Sequence, residues 1–253
     1  MKRIILLLST IILIAILLFS YNYIQYENNQ ADVKRFNKVF LDYNRNNLFG
    51  TDLTTVMNKA IDNNEKYKIK RVVYSTYQAV SGAGKKGIDD LENGLKGLEP
   101  QKFPHPIVNN CLPHIDVFTE NGYTKEEMKM VNETRKILGH PNLPITATAV
   151  RVPVTNCHSE SINVEFEKTC SVEEAVSILK NSPGIIVQDE IQDSLYPLAS
   201  IARGQDEVFI GRIRKDYSVK NGLNLWVVAD NLRKGAATNA IQIMEKLIEM
   251  EAK

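Results

Sequence analysis

The pattern of hydrophobic and polar positions after residue 68 switches repeatedly between strand-like and helix-like segments. Residues 71–80 alternate and are rich in β-branched and aromatic side chains, which predicts a buried strand. Further strands are predicted over residues 145–154, 161–166, 184–188, 208–214 and 223–229. Helices are predicted over about residues 86–95, 125–138, 171–180 and 236–250. This order indicates one α+β domain, built as a mixed β-sheet flanked by helices, over residues 68–253.

Two of the predicted helices carry clear start signals. Thr124 is followed three positions later by Glu127, and Ser171 is followed by Glu174 in the same way. Such pairs form capping boxes, in which each side chain binds a free backbone N–H of the first turn. Gly139 is a natural stop for the helix that begins after Thr124.

The N-terminus has a different character. Residues 4–24 form a mainly apolar run of about 20 residues, the length that crosses a bilayer core as a helix. Lys2 and Arg3 precede the run, and no small-residue cleavage site follows it. These features favour an uncleaved signal anchor over residues 1–24, with a cleaved signal peptide as the alternative. The basic start weakly places the remainder of the chain outside the cytosol.

Residues 25–67 are rich in Asn, Asp, Glu and Lys and contain one helix-like stretch, over residues 51–64. We find no catalytic spacing in this segment. It is predicted to be a polar juxtamembrane segment with a short helix.

Composition excludes several classes of function. The 253 residues contain 31 Lys and Arg against 30 Asp and Glu, so no basic surface for nucleic acid is expected. The three cysteines, Cys111, Cys157 and Cys170, show no C-x-x-C spacing, so neither a metal site nor a disulfide framework is predicted. We expect all three to be reduced and structural.

Gly82, Gly84 and Gly87 match the dinucleotide fingerprint G-x-G-x-x-G, after a strand and before a helix. In a Rossmann unit a second hydrophobic strand with an acidic end follows the helix soon afterwards, whereas a proline-rich loop follows here. We therefore interpret the motif as a glycine turn that lets ligand and backbone come close, and not as a Rossmann domain.

Arg151 and His158 stand seven residues apart around a predicted strand and turn. A guanidinium fork suits a carboxylate, and an imidazole suits proton transfer near neutral pH. From spacing alone, a solvated arginine and a partly buried histidine are the default interpretation.

Three stretches of the sequence resemble one enzyme family when taken together. They are VYSTYQAVSGAG (73–84), RVPVTNCH (151–158) and NLRKGAA (231–237). They resemble aspartate-semialdehyde dehydrogenases over residues 68–253. The resemblance implies the C-terminal catalytic and dimerisation domain of that family, which has a glyceraldehyde-phosphate-dehydrogenase-like fold. The family reduces L-aspartyl 4-phosphate to L-aspartate 4-semialdehyde with NADPH, in lysine, threonine and methionine biosynthesis.

The resemblance also implies roles for individual residues. Gln78 and His158 would be catalytic, and Arg151 would hold the substrate carboxylate. A Glu-x-Lys pair, Glu127 and Lys129, would serve the substrate amine and phosphate. The implied contacts on the nicotinamide side of NADP are Ser81, Gly82, Gly84 and Asn231.

This chain departs from the family pattern before residue 70. A dinucleotide-binding domain that ends in the nucleophilic cysteine is expected there, yet residues 51–70 contain no cysteine. Cys157 is a poor substitute, because adjacent side chains in a strand point to opposite faces. We therefore expect an incomplete NADP site and a chain that is inactive alone.

Two other interpretations remain open. The chain could be a membrane-tethered module that pairs with itself or with an intact dehydrogenase, or the product of a gene fusion without an evolved function. A single-pass membrane location follows if the N-terminal segment is genuine, whereas the family itself is cytoplasmic.

Overall fold

The computed structural model describes residues 67–251, all of which belong to one compact unit of the chain. The predicted anchor over residues 1–24 lies outside the described residues, and so does the polar segment except for Tyr67. Both therefore stay predictions. Within residues 67–251, no helix is both long and apolar enough to cross a membrane.

Six strands form one mixed sheet in the order β2-β1-β3-β6-β5-β4. The strands are β1 Ile69–Gln78, β2 Ile145–Arg151, β3 His158–Phe166, β4 Ile185–Val187, β5 Val208–Asp216 and β6 Gly222–Ala229. β1 pairs with β2, and β4 with β5, in parallel, while the pairs β1–β3, β3–β6 and β5–β6 are antiparallel. The predicted mixed sheet of an α+β domain is confirmed.

Five α-helices accompany the sheet within the described residues. They are α1 Lys85–Gly94, α2 Lys125–Leu138, α3 Val172–Lys180, α4 Ala199–Ala202 and α5 Thr238–Glu251. Short 3-10 turns lie at Val80–Ala83 and Ile191–Asp193, and a π-helical turn at Arg233–Ala237 precedes α5. The helix predicted from about residue 236 therefore begins two residues later, after that turn.

The predicted capping boxes are both present. The Thr124 side chain accepts a hydrogen bond from the Glu127 N–H, and Ser171 accepts one from Glu174 in the same way. Gly139 ends α2 in the left-handed conformation, with φ of 72°. These local signals were sufficient to predict where α2 and α3 begin because each cap satisfies backbone groups of its own helix.

The main core lies between one face of the sheet and helices α2 and α3. Val72 and Tyr74 of β1 point into it and are fully buried, as alternation along a strand requires. Met130 of α2 and Leu179 of α3 cover them and their neighbours. Burial of such side chains contributes on the order of 1.5–3 kcal/mol each. The core fixes β1 between β2 and β3, and that order positions the site described below.

A smaller core supports the long connection between α1 and α2. Val80, Leu91, Ile107 and Leu112 are buried together in it. A side chain at Gly87 would meet the Val80 carbonyl oxygen, the Ala83 side chain and the ring of Phe103. The third glycine of the G-x-G-x-x-G motif is therefore needed for packing. The next strand after α1 is β2, reached only after this loop and α2, so the turn is not part of a Rossmann unit.

Among the described residues, the second face of the sheet is covered over β5 and β6 by α4 and by the loop through Pro197, whose carbonyl accepts a hydrogen bond from Trp226. Val73, Ser75 and Tyr77 of β1 point to this face and are partly exposed. Ser161 of β3 lies between Ser75 and Trp226 of β6 in one row across the sheet. We call this surface the open face.

Candidate active site

One edge of the sheet brings together three of the residues singled out from the sequence. Gln78 is the last residue of β1, Arg151 the last of β2 and His158 the first of β3. β1 and β2 are parallel and β3 runs against them, so two strand ends and one strand start meet at the same edge. All three side chains line a cleft of about 650 Å³.

The backbone of Ala79 holds both ionisable side chains. Its N–H donates a hydrogen bond to Nδ1 of His158 at 3.1 Å, and its carbonyl accepts one from Nη1 of Arg151 at 2.7 Å. Gly82 lies directly against the pair, because a Cβ there would stand 2.8 Å from Nη1 of Arg151 and 3.2 Å from Nε2 of His158. The absence of a side chain at Gly82 is therefore a condition for this arrangement.

The environment of His158 determines its protonation state. Nδ1 accepts a hydrogen bond, so the neutral ring carries its proton on Nε2. Burial, and secondarily the positive charge of Arg151, lower the pKa of His158 to about 3. Near neutral pH the imidazole is uncharged, and Nε2 is a hydrogen-bond donor.

Arg151 is a buried cation with one backbone partner. Its side chain is almost inaccessible, and its main chain pairs with Leu112 in an antiparallel bridge. Burial lowers the pKa of Arg151, while the charge of Glu126 acts in the opposite direction. Within residues 67–251 its guanidinium forms no ion pair. Buried charges are normally paired, so this guanidinium is suited to an anionic ligand.

Glu126 and Lys129 form the opposite polar part of the cleft, together with Gln78. Nε2 of Gln78 donates to Oε1 of Glu126 at 3.3 Å, and Nζ of Lys129 stands 3.8 Å from Oε2 of the same carboxylate. All three residues line the cleft. The carboxylate can receive an ammonium group of a ligand, and the lysine can receive an anion.

Glu127 has a different environment from the one expected from its Glu-x-Lys spacing. One carboxylate oxygen accepts the Thr124 N–H at 2.7 Å, and the other accepts the Ala149 N–H at 2.9 Å. Glu127 is buried and does not line the cleft, whereas Glu126 does. Glu126 was missed from the sequence, although the capping box at Thr124 already assigned the Glu127 carboxylate to the helix start.

Three of the four residues expected on the cofactor side line the same cleft: Ser81, Gly82 and Asn231. The Asn231 amide donates to Oγ of Ser81 at 3.1 Å, and its oxygen accepts the Cys157 N–H at 3.0 Å. Gly84 is the exception. It has φ of 76°, lies at the start of α1 and does not line the cleft.

Asp230, next to Asn231, ties together the loops behind the cleft. It is buried, and Oδ1 accepts the Leu232 N–H at 2.9 Å. Oδ2 accepts the Gly204 N–H at 2.8 Å and the Asn156 side-chain amide at 3.0 Å. These bonds fix the segments before β3 and after β6, and hence the position of Asn231.

None of the chain's three cysteines lines the cleft. Cys157 is buried among Ala202, Phe209 and Val228 on the other side of the sheet edge. Burial, with the nearby charge of Asp230, raises the pKa of Cys157 to about 12, so the thiol is protonated at neutral pH. Cys111 is exposed and Cys170 is buried. Within residues 67–251 no cluster of His, Cys, Asp and Glu could hold a metal ion.

The fold and the cleft define a dehydrogenase-type dimerisation domain, and comparison with known proteins gives the family. The family model described as "Semialdehyde dehydrogenase, dimerisation domain" matches residues 59–234. The chain belongs to this family.

Among its relatives are aspartate-semialdehyde dehydrogenases. The enzyme of Aquifex aeolicus is 54% identical over 230 residues, which cover 88% of this chain and 66% of the relative. The enzyme of Bacillus subtilis is 40% identical over 235 residues, which cover 87% of this chain and 66% of the relative. The chain thus spans slightly less than two thirds of the length of these relatives.

Solved structures of aspartate-semialdehyde dehydrogenases are also similar to this chain. Aspartate semialdehyde dehydrogenase II of Vibrio cholerae, complexed with ASA, has a TM-score of 0.74 and 44% identity, covering 78% of this chain and 59% of that one. The Candida albicans enzyme with NADP has a TM-score of 0.58 and 25% identity, and the match covers 78% of this chain and 56% of that one.

The similarity starts earlier in the chain than Lys68. The family model begins at residue 59, and the 88% share matched by the Aquifex aeolicus enzyme is larger than residues 68–253 can provide. Part of the segment predicted to be juxtamembrane is therefore also similar to these enzymes.

Substitution of Glu127 separates its role from that of Glu126. Glu127→Ala leaves the buried N–H groups of Thr124 and Ala149 without an acceptor and removes one half of the capping box, so we expect a loss of about 2–3 kcal/mol in the free energy of unfolding. Glu126→Ala is the matched control and should cost less than about 1 kcal/mol. Urea denaturation measures both. Equal losses would show that Glu127 has no special structural role.

The pKa of His158 can be tested by NMR titration. We expect its ring signals to stay unchanged between pH 8 and 5, with the exposed His105 as internal reference. The unfolded chain takes up this proton near pH 6.5. Acid therefore favours unfolding, and stability should fall below about pH 6.5 by up to about 1.4 kcal/mol per pH unit.

His158→Gln should remove that part of the pH dependence, whereas His105→Gln should retain it. A titration midpoint near pH 6.5 for His158 in the folded chain would contradict the assigned environment.

Proposed function

We propose that the cleft binds the amino-acid part of L-aspartyl 4-phosphate and L-aspartate 4-semialdehyde, the substrate and product of aspartate-semialdehyde dehydrogenase. The observation that carries this proposal is the joint anchoring of Arg151 and His158 on Ala79, beside Gln78. An anion-binding fork and a proton-bearing ring nitrogen then face one cleft. Membership of the family supports the same assignment.

Each polar group of the ligand has a counterpart in the cleft. Arg151 receives the α-carboxylate, because a guanidinium binds a carboxylate through two parallel hydrogen bonds. Glu126 receives the α-ammonium group, and Lys129 receives the phosphate. We assign the amine contact to Glu126 because both oxygens of Glu127 are already occupied.

His158 and Gln78 face the reacting end of the ligand. Nε2–H of the neutral imidazole donates a hydrogen bond to the acyl or aldehyde oxygen, and the Gln78 amide orients the same group. A bound anion at Arg151 cancels the charge that helps to lower the pKa of His158. Ligand binding therefore raises the basicity of the ring and prepares it for proton transfer.

The residues on the other side of the cleft fit a nicotinamide ring. Ser81, Gly82 and Asn231 are small, and the space beside Gly235 is open, since a Cβ there would have its nearest neighbour 3.9 Å away. NADPH, when bound, supplies the hydride for such a reduction. The Asn231 side chain, fixed by Ser81 and the Cys157 N–H, offers a rigid polar edge to the ring.

Turnover in this family requires a thiol that forms a thioester with the substrate acyl group. The three cysteines of this chain do not line the cleft, and Cys157 is held protonated by burial. We therefore propose that the 253-residue chain binds the ligand without reducing it. Loss of a nucleophile typically lowers the rate by several orders of magnitude while binding is retained.

Binding of L-aspartate 4-semialdehyde to the full chain, measured by calorimetry, tests the proposal. Arg151→Gln should weaken binding by a factor of about 10–100, the usual effect of removing a buried charge-assisted contact. Arg214→Gln, at an exposed position outside the cleft, is the matched control and should leave binding unchanged. Equal affinities of the wild type and Arg151→Gln would refute the proposed site.

The proposal that the chain binds its ligand without turnover is tested by measuring NADP reduction by the chain in the presence of semialdehyde and phosphate. No turnover is expected. Activity that is lost in Cys157→Ser would show that this thiol is the nucleophile.

We infer further that the open face pairs with a second copy of the chain. It is a broad sheet surface with small polar and aromatic side chains, and the ring centroids of Tyr77 and Trp226 lie 5.5 Å apart on it. Isologous contact between two such faces would bury both and complete their coverage. The description of the family as a dimerisation domain supports this choice over pairing with a different protein.

Ser161→Arg places a long charged side chain in the middle of the open face, and we expect it to shift the dimer to monomer in sedimentation velocity. Ser177→Arg, on the exposed side of α3, makes the same chemical change elsewhere and should leave the dimer intact. A dimer that persists in Ser161→Arg would place the interface on another surface.

A further inference from the structure

The loop after α1 forms one wall of the cleft and is held by a buried carboxylate. Asp90 of α1 is 3% exposed and accepts three backbone hydrogen bonds of 2.8 Å, from the N–H groups of Gln101, Lys102 and Phe103. Burial opposes ionisation of Asp90, but the three bonds outweigh it and keep its pKa below the usual range. The carboxylate therefore stays charged and fixes three consecutive residues of the loop.

A second contact fixes the same loop from its apolar side. The ring of Phe103 packs against the cluster of Val80, Leu91 and Ile107, and a Cβ at position 87 would stand 3.2 Å from this ring. A hydrogen-bonded anchor and a packed ring act on neighbouring residues, so the backbone at Lys102 is held on both sides. Lys102, Phe103 and Pro104 all line the cleft.

Lys102 is an uncompensated cation at this wall. Within residues 67–251 its ammonium group has no ion-pair or hydrogen-bond partner, whereas Lys129 faces Glu126 at 3.8 Å. Arg151 likewise has no ion-pair partner in the described part of the chain. Arg151 and Lys102 are thus two cations of the cleft, one buried and one at the rim, that form no ion pair within the described residues. The proposed ligand carries two separate anionic groups.

We propose that Lys102 is a further anion-binding residue of the cleft, that it contacts a phosphoryl group, and that Asp90 is its positioning residue. This inference rests on the proposed function of the cleft. The phosphoryl group can belong to the acyl phosphate, for which inorganic phosphate stands in, or to the dinucleotide. A rigid backbone at Lys102 reduces the entropy lost when the side chain binds.

The test compares Lys102→Gln with the full wild-type chain in titrations with inorganic phosphate, NADP and L-aspartate 4-semialdehyde. We expect roughly threefold to tenfold weaker binding of phosphate or of NADP, because an exposed cation contributes modestly, and a smaller difference at high salt. Affinity for the semialdehyde, which has no phosphoryl group, should be unchanged. Lys96→Gln is the matched control, since Lys96 is exposed on the same connection but does not line the cleft.

The outcomes assign the source of the phosphoryl group. A loss confined to phosphate supports the acyl phosphate, and a loss confined to NADP supports the dinucleotide. Unchanged affinity for both, or an equal loss in Lys96→Gln, overturns the inference. Absence of measurable binding of both probes to the wild type overturns it as well.

Two further variants complete the test. Asp90→Asn should weaken binding of the same probe and speed amide hydrogen exchange at Gln101, Lys102 and Phe103, while urea denaturation shows that the chain is folded. Faster exchange with unchanged affinity would refute the positioning role. Arg151→Gln separates the proposed function of the cleft from the role of Lys102. If Arg151→Gln weakens semialdehyde binding while Lys102→Gln changes the affinity for neither phosphate nor NADP, only the inference about Lys102 fails.

Discussion

The site depends on a single residue that contributes no functional side chain. The peptide groups of Ala79 hold Arg151 through the carbonyl and His158 through the N–H, so the two side chains keep a fixed relation to each other. Two backbone contacts at the end of one buried strand replace the carboxylate that orients histidine in many enzymes. The consequence is a neutral imidazole beside a charged guanidinium, with the Ala79 N–H bound to Nδ1 and with Gly82 leaving room for both side chains.

Three buried carboxylates around the cleft are held in the same way. Asp90, Glu127 and Asp230 are all almost inaccessible, and each is satisfied mainly by backbone N–H groups instead of by lysine or arginine. Hydrogen bonds from several amides stabilise an ionised carboxylate as effectively as a cation does. Within the described residues these three acids therefore fix the loops without forming an ion pair with Arg151 or Lys102. The residues that fix the loops are thus different from the cations that face the ligand.

The two faces of the sheet have different tasks. One face packs on α2 and α3 and supplies the hydrophobic core, which fixes the strand order. The other is largely uncovered in the described part of the chain, and its central row of Ser75, Ser161 and Trp226 is suited to contact with another sheet. The cleft lies at the strand ends, so its residues are fixed by the core while the open face remains free for association.

The sequence by itself determined the helix starts at Thr124 and Ser171, the strands and the mixed sheet, because caps and alternation are local and act within a few residues. It also placed Gln78, Arg151 and His158 near strand ends. Only the tertiary structure decided that Ala79 binds two of these side chains, that Glu126 and not Glu127 faces Lys129, and that Asp90 fixes the wall carrying Lys102. These contacts join residues distant in sequence, and their geometry follows from strand order and packing, which no local pattern encodes.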